Sequence, residues 1–276
     1  MKHLVNLVIV VLVSSVVFLV SSCSCNSKKG QENSSIVSDL KKDEVKKEIT
    51  DFVYPLPTAF EVTKMLNRIG ASYIFSISNP PENVEKCFTE KSKALNLGIY
   101  SADLSYASTY NQKQITLDYM NASNRLIDEL GFADAIDKTL PEKIEQVEDD
   151  KEALIELITN TFYTTYESLN EGGRGSISVL VLAGSWVEAL YIATHISEDT
   201  YNNVEMVKIV MDQKEPLNKL LNLIEENSSN KDIESVGVSL KKLHDIFGSL
   251  EDGSISQTQM EAITTEVAKV RAEMIE

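Results

Sequence analysis

Three cysteines in 276 residues, at positions 23, 25 and 87, are too few to describe a disulfide framework, so the fold must rest on its apolar core. Histidine is as scarce. Beyond His3 the chain has His195 and His244 alone. Paired cysteines, His-Glu-x-x-His and the Glu-x-x-His motif of di-iron bundles are missing, and neither a metal nor any other cofactor is expected. Basic residues are outnumbered, 26 Lys and Arg against 42 Asp and Glu, for a formal net charge of −16. Such a surface repels nucleic acid and anionic headgroups, which excludes a nucleic-acid partner. Alternation of β-branched residues between turn dipeptides is not sustained anywhere, so no strand is expected. No 34- or 40-residue period appears, which argues against a regular solenoid. There is no nucleophile elbow. Gly172-Gly173-Arg174-Gly175-Ser176 is no P-loop either, because it follows a helical pattern and lacks the Gly-Lys-Ser/Thr ending.

What the chain does have begins at its N-terminus. Lys2 and His3 precede an uncharged apolar run from Leu4 to Val20 of secretory-signal type. The run ends in Val20-Ser21-Ser22-Cys23, which resembles the lipobox of bacterial lipoproteins. That resemblance implies cleavage before Cys23, a diacylglyceryl thioether on its sulfur and an acylated new N-terminus. A span left uncleaved is the rival reading, since the run is nearly long enough to cross a bilayer. Ser24 stands where aspartate is the usual inner-membrane retention signal, so the resemblance favours the outer membrane and a periplasm-facing domain. Removing residues 1–22 takes away one lysine and no acid, moving the net charge from −16 to −17. The acyl chains must then hold the membrane without help from a basic patch. Residues 23–50 are polar and poor in aromatics, which reads as a flexible tether, and residues 51–276 as a single helical domain.

The segment 176–196, SISVLVLAGSWVEALYIATHI, is apolar on nearly every side, as a helix covered all round must be. It is the expected centre. Before it, capping-box, proline and glycine signals predict a helix from Thr58 to Ile69 and another from Glu82 to Asn96, with Gly98 a junction to a further one over Ile99–Tyr110. Helices follow over Gln114–Leu130, from Thr139 and over Asp150–Leu169. Beyond the centre come helices near 201–213, 216–226, 233–247 and 257–275, the last with a seam of Ile263, Val267, Val270 and Met274. The fold class is therefore all-α, an irregular antiparallel bundle of about nine to eleven helices.

Two stretches carry the polar exceptions. On the central helix Ser178, Ser185, Glu188 and His195 fall within an arc of about 100°. Glu188 and His195 thus have the placement of an acid–base couple or of two metal ligands, although a satisfied buried histidine is the commoner role. In Asn96–Tyr110, Tyr100, Asp103, Tyr106 and Tyr110 share one face, with small residues Ser101, Ala102, Ser105, Ser108 and Thr109 opposite. Burying that aromatic face takes Asp103 with it, and the tyrosine hydroxyls are its nearest donors. Either a structural hydrogen-bond network or a pocket wall results. Asp103-x-x-Tyr106-x-x-Thr109 echoes Glu188-x-x-Tyr191-x-x-Thr194, a three-position match that chance in helical text also produces.

Leu97 to Tyr106, L-G-x-Y-x-A-D-L-x-Y, resembles a segment in a group of helical bacterial lipoproteins. The resemblance covers about ten residues, implies fold and address, and brings no activity with it. The resulting expectation is a non-catalytic, outer-membrane-anchored lipoprotein that binds a partner protein or a small ligand in the periplasm. The alternative is a ligand carrier or sensor whose pocket draws on Tyr100, Asp103, Tyr106, Trp186, Glu188, Tyr191 and His195, with an enzyme third.

Overall fold

The computed structural model describes residues 59–132, 139–147, 150–197, 200–251 and 254–276, all within a unit running from Phe52 to Glu276. The signal, Cys23, the tether and Thr58 lie outside the described residues. Ten α-helices and no strand occur among those described: α1 Ala59–Arg68, α2 Glu90–Thr109, α3 Lys113–Leu130, α4 Leu140–Val147, α5 Lys151–Glu171, α6 Gly175–His195, α7 Val204–Met211, α8 Lys214–Glu226, α9 Lys231–Gly248 and α10 Gln257–Ile275. The protein is an all-α helical bundle, as its composition and periodicity predict.

The central helix is where it is expected. α6 packs against α1, α2, α5, α7, α8, α9 and α10. Among the described helices it is the one long and apolar enough to cross a bilayer, yet 94 % of its most apolar stretch is buried inside the bundle. An apolar surface so completely covered by protein is a core, and it explains why the sequence carries no charged, solvent-facing side here. The α10 seam closes over it, with Ile263, Val267, Val270 and Met274 all buried.

Gly98 corrects the sequence reading. Two helices meeting there were expected, but α2 is one continuous helix of 20 residues running straight through it. A Cβ on Gly98 would lie 2.0 Å from the Val181 carbonyl oxygen and 2.7 Å from the Ser185 nitrogen of α6. Reciprocally, a Cβ on Gly184 would lie 2.1 Å from the Leu95 carbonyl oxygen. The glycine is a contact point for a second backbone rather than a helix stop.

The start of α2 also moves. Pro81–Lys86 forms a 3₁₀ turn that ends where the Cys87 N–H bonds to the Val84 carbonyl. The helix begins only after Thr89, whose hydroxyl accepts from the Ser92 N–H at 3.0 Å while the Ser92 hydroxyl accepts from the Thr89 N–H at 3.1 Å. This reciprocal cap satisfies orphan donors of the first turn and outcompetes an earlier start. Near residue 201 a 3₁₀ turn at Thr200–Asn202 likewise precedes α7, which Asn203 caps through bonds from the Glu205 and Met206 N–H groups.

Candidate functional site

Glu188 of α6 and Arg271 of α10 form a buried two-pronged ion pair. The guanidinium donates to both carboxylate oxygens, Nε to Oε2 at 2.5 Å and Nη2 to Oε1 at 2.8 Å. Glu188 is fully enclosed and Arg271 is 8 % exposed. Nη2 also reaches the Ile77 carbonyl at 3.1 Å, and the guanidinium carbon lies 4.1 Å from the centre of the Tyr191 ring. Burial pulls the Arg271 pKa down, but the charge of Glu188 and its hydrogen bonds outweigh this and hold the group above its ordinary value.

Asp103 of α2 lies within electrostatic reach of this pair and is itself fully buried. Its Oδ2 accepts the Asn79 N–H at 3.1 Å, and the buried Ser78 hydroxyl stands beside the same carboxyl. Burial pushes the pKa well up and the Glu188 charge adds to the rise, with Arg271, the Asn79 N–H and the Ser78 hydroxyl opposing. Two carboxyls share one guanidinium, and the two-pronged contact goes to Glu188. The arrangement therefore favours a neutral, protonated Asp103.

The tyrosines do not serve Asp103 as the sequence suggests. Tyr100 donates to the Pro80 carbonyl at 3.2 Å, and the Tyr106 hydroxyl accepts the Ile74 N–H at 2.8 Å. Asn79 bonds Asn96 at 3.3 Å, and Asn96 bonds the Met274 carbonyl at 3.0 Å. The common thread is the segment Ala71–Pro80, which is largely outside helices and must place its backbone polar groups somewhere. Ile74, Ile77, Asn79 and Pro80 all find partners on α2 or α10, so the buried polar cluster ties this crossing segment to the core.

His195 is half-buried and stacks on Tyr191 with ring centres 3.9 Å apart. Its Nδ1 lies 2.8 Å from the Tyr191 carbonyl, an acceptor that requires the proton on that nitrogen. Burial lowers its pKa below 6.5 and the Arg271 charge adds to this, so the neutral ring is favoured although the Tyr191 carbonyl contact opposes it. Trp186 is buried, and its indole N–H has no partner. Of the residues singled out in the sequence, Asp103, Glu188, Tyr191 and His195 thus gather about Arg271. Tyr100 and Tyr106 serve the crossing segment, and Trp186 stands apart. Sequence reasoning missed Arg271, although a glutamate on a helix buried all round demands a cation.

A cavity of about 80 Å³ lies on the other side of α2. Ser101 and Ser105 of the small-residue face line it, with Ser123 and Ile127 of α3, Phe162 of α5 and Val181 of α6 among its other walls. Tyr106, Trp186 and Tyr191 do not line it. Phe162 borders this space and is only half-buried. No cluster of three or more His, Cys, Asp or Glu able to hold a metal occurs among the described residues.

The protonation of Asp103 has a measurable consequence. Its folded pKa stands above its ordinary 3.8, so the folded state binds the proton more tightly. That contribution to stability is present at low pH and is lost as pH rises from about 4 through the folded pKa. Asp103→Asn, a neutral mimic, should flatten the decline in urea-unfolding stability between pH 5 and 8. Asp103→Ala, which strands the Asn79 N–H, should cost on the order of 1–3 kcal/mol at both. A stability contribution from Asp103 that grows with pH would show an ionised carboxylate instead.

The chain matches no family model, no curated protein and no solved structure.

Proposed function

We propose that this chain is a non-catalytic lipoprotein, anchored in the outer membrane through Cys23 and facing the periplasm, whose helical domain binds a small ligand between its helices. The cavity against Ser101 and Ser105 is the observation that carries the binding reading. Clefts between the helices of a bundle are a common place for small-molecule sites. The ion pair supports binding over catalysis, because its two members are spent on each other and on a backbone carbonyl. Glu188 accepts two bonds from Arg271, and Arg271 holds Ile77. The test is release of bound material: organic extraction of the purified protein followed by mass spectrometry should yield one small molecule near stoichiometric amount. An empty extract, with no shift in melting on adding small apolar compounds, counts against the ligand.

A partner protein is the second reading, favoured by Phe75 and Phe88, which are 58 % and 83 % exposed on either side of the Pro81–Lys86 turn. A shallow groove beside Phe75 runs past Val84 and Ile115. Large apolar side chains held in water next to a groove are what an interface uses. If cross-linked products disappear on Phe75→Ser and Phe88→Ser, this reading takes precedence.

Anchoring is tested separately. Val20-Ser21-Ser22-Cys23 after an apolar run motivates it. Cys23→Ala should abolish incorporation of a fatty-acid analogue and leave an unprocessed precursor. Labelling that persists in the variant would place the lipid elsewhere or remove it from the account.

A further inference from the structure

We infer that the cavity between α2, α3, α5 and α6 takes an uncharged, largely apolar molecule of ring size, held by one hydrogen-bonding head between the hydroxyls of Ser123 and Thr159. This rests on the reading that the cavity is a small-ligand site. Hydroxyls inside helices ordinarily bond back to a carbonyl three or four residues earlier. Four in this wall do so. Ser101 bonds Leu97, Ser105 bonds Ser101, Thr161 bonds Leu157 and Thr165 bonds Thr161, all at 2.7 to 2.8 Å.

Ser123 and Thr159 depart from that pattern. Both line the cavity, both hydroxyl oxygens are buried, and neither has a hydrogen-bond partner. Ser123 is 7 % exposed. A buried hydroxyl without a partner is unfavourable, yet each sits in mid-helix with a carbonyl four residues before it within reach of an ordinary rotamer. Each can donate one bond and accept others, so together they suit a single hydroxyl, carbonyl or amide group.

The rest of the wall sets the body of the ligand. Leu97, Leu104, Met120, Ile127, Phe162 and Val181 supply apolar contact. No charged side chain is among the described residues lining the cavity, so an ion entering it would be desolvated without a counter-charge. At about 10–15 Å³ for each group the size of a water molecule, a cavity of about 80 Å³ admits about half a dozen non-hydrogen atoms. Phenol meets all three requirements, whereas toluene meets only the size and the apolar body.

The experiment titrates phenol and toluene calorimetrically into the full-length chain in nanodiscs, subtracting the heat of empty nanodiscs. Wild type should bind both. Ser123→Ala and Thr159→Val should each weaken phenol about fivefold while leaving toluene unchanged or tighter. Thr159→Ser, which keeps the hydroxyl, should restore phenol binding, and unchanged helical circular dichroism excludes misfolding as the cause. Should both probes bind wild type but respond alike to the variants, the hydroxyl assignment is overturned and the small-ligand reading stands. Should neither bind wild type, both fall.

Discussion

Arg271→Ala is expected to destabilise the domain by on the order of 3–5 kcal/mol, because it leaves Glu188 buried without its cation. Glu188 has no solvent to turn to, and both its oxygens are bonded to the guanidinium that the substitution removes. The same change strips the Ile77 carbonyl of a donor and the Tyr191 ring of its cation. The loss should depend on pH. A buried carboxylate without a counter-charge costs more the more it is ionised, so the variant should be least impaired at low pH and worsen as pH rises. Urea unfolding at pH 5 and pH 8 separates the two contributions. The double variant Glu188→Leu, Arg271→Met removes both charges together and should recover most of the lost stability, since a well-packed apolar pair often matches a buried ion pair. A loss below about 1 kcal/mol that is the same at both pH values would mean the pair behaves as a surface salt bridge.

That pair shows where sequence reasoning reaches and where it stops. The demand was legible: Glu188 interrupts a helix apolar on every side. The supply was less so. Arg271 lies one residue past Val270, at the edge of the Ile263–Met274 seam, and a long cationic side chain there reads equally well as a stem with its head in water. Yet the chain has four arginines, at 68, 125, 174 and 271, and only the last follows a buried seam residue at the four-residue spacing that shares a face, Val267. The segment Ala71–Pro80 lies largely outside helices. Its function as the acceptor and donor of the buried polar cluster depends on long-range contacts such as Ile74 to Tyr106 and Ile77 to Arg271, which no local pattern encodes. The cavity was hidden for a related reason. The small-residue face of α2 predicts close approach of a neighbour, but whether that approach leaves a gap depends on how far α3 and α5 stand off from it.

Gly98 belongs to the same lesson, and it carries the second large effect. Glycine serves both to stop a helix and to admit a neighbouring backbone, and the flanking residues decide between them. Ala94, Gly98 and Ala102 recur at four-residue spacing, so three small side chains lie along one face, and all three are buried. Gly98→Ala would set a methyl group 2.0 Å from the Val181 oxygen, and Gly184→Ala one 2.1 Å from the Leu95 oxygen. Both obstacles are backbone, which has no rotamer to yield, so α2 and α6 must separate. Overpacking of this kind costs on the order of 1–3 kcal/mol or more, against a gain of about 1 kcal/mol in helix propensity. We expect net losses of at least about 2 kcal/mol for each variant, at the upper end of that range. Gly248→Ala is the control, since its Cβ meets nothing within 4 Å, and it should be neutral or stabilising by up to about 1 kcal/mol. The effect should extend beyond stability. Val181 and Ser185, the residues that Gly98 abuts, also line the cavity, so separating the helices alters the volume available to a ligand. Phenol affinity in the two core variants should therefore change while Gly248→Ala leaves it unaltered. If Gly98→Ala and Gly184→Ala match wild type in thermal unfolding, the close crossing of α2 and α6 is not how these helices pack.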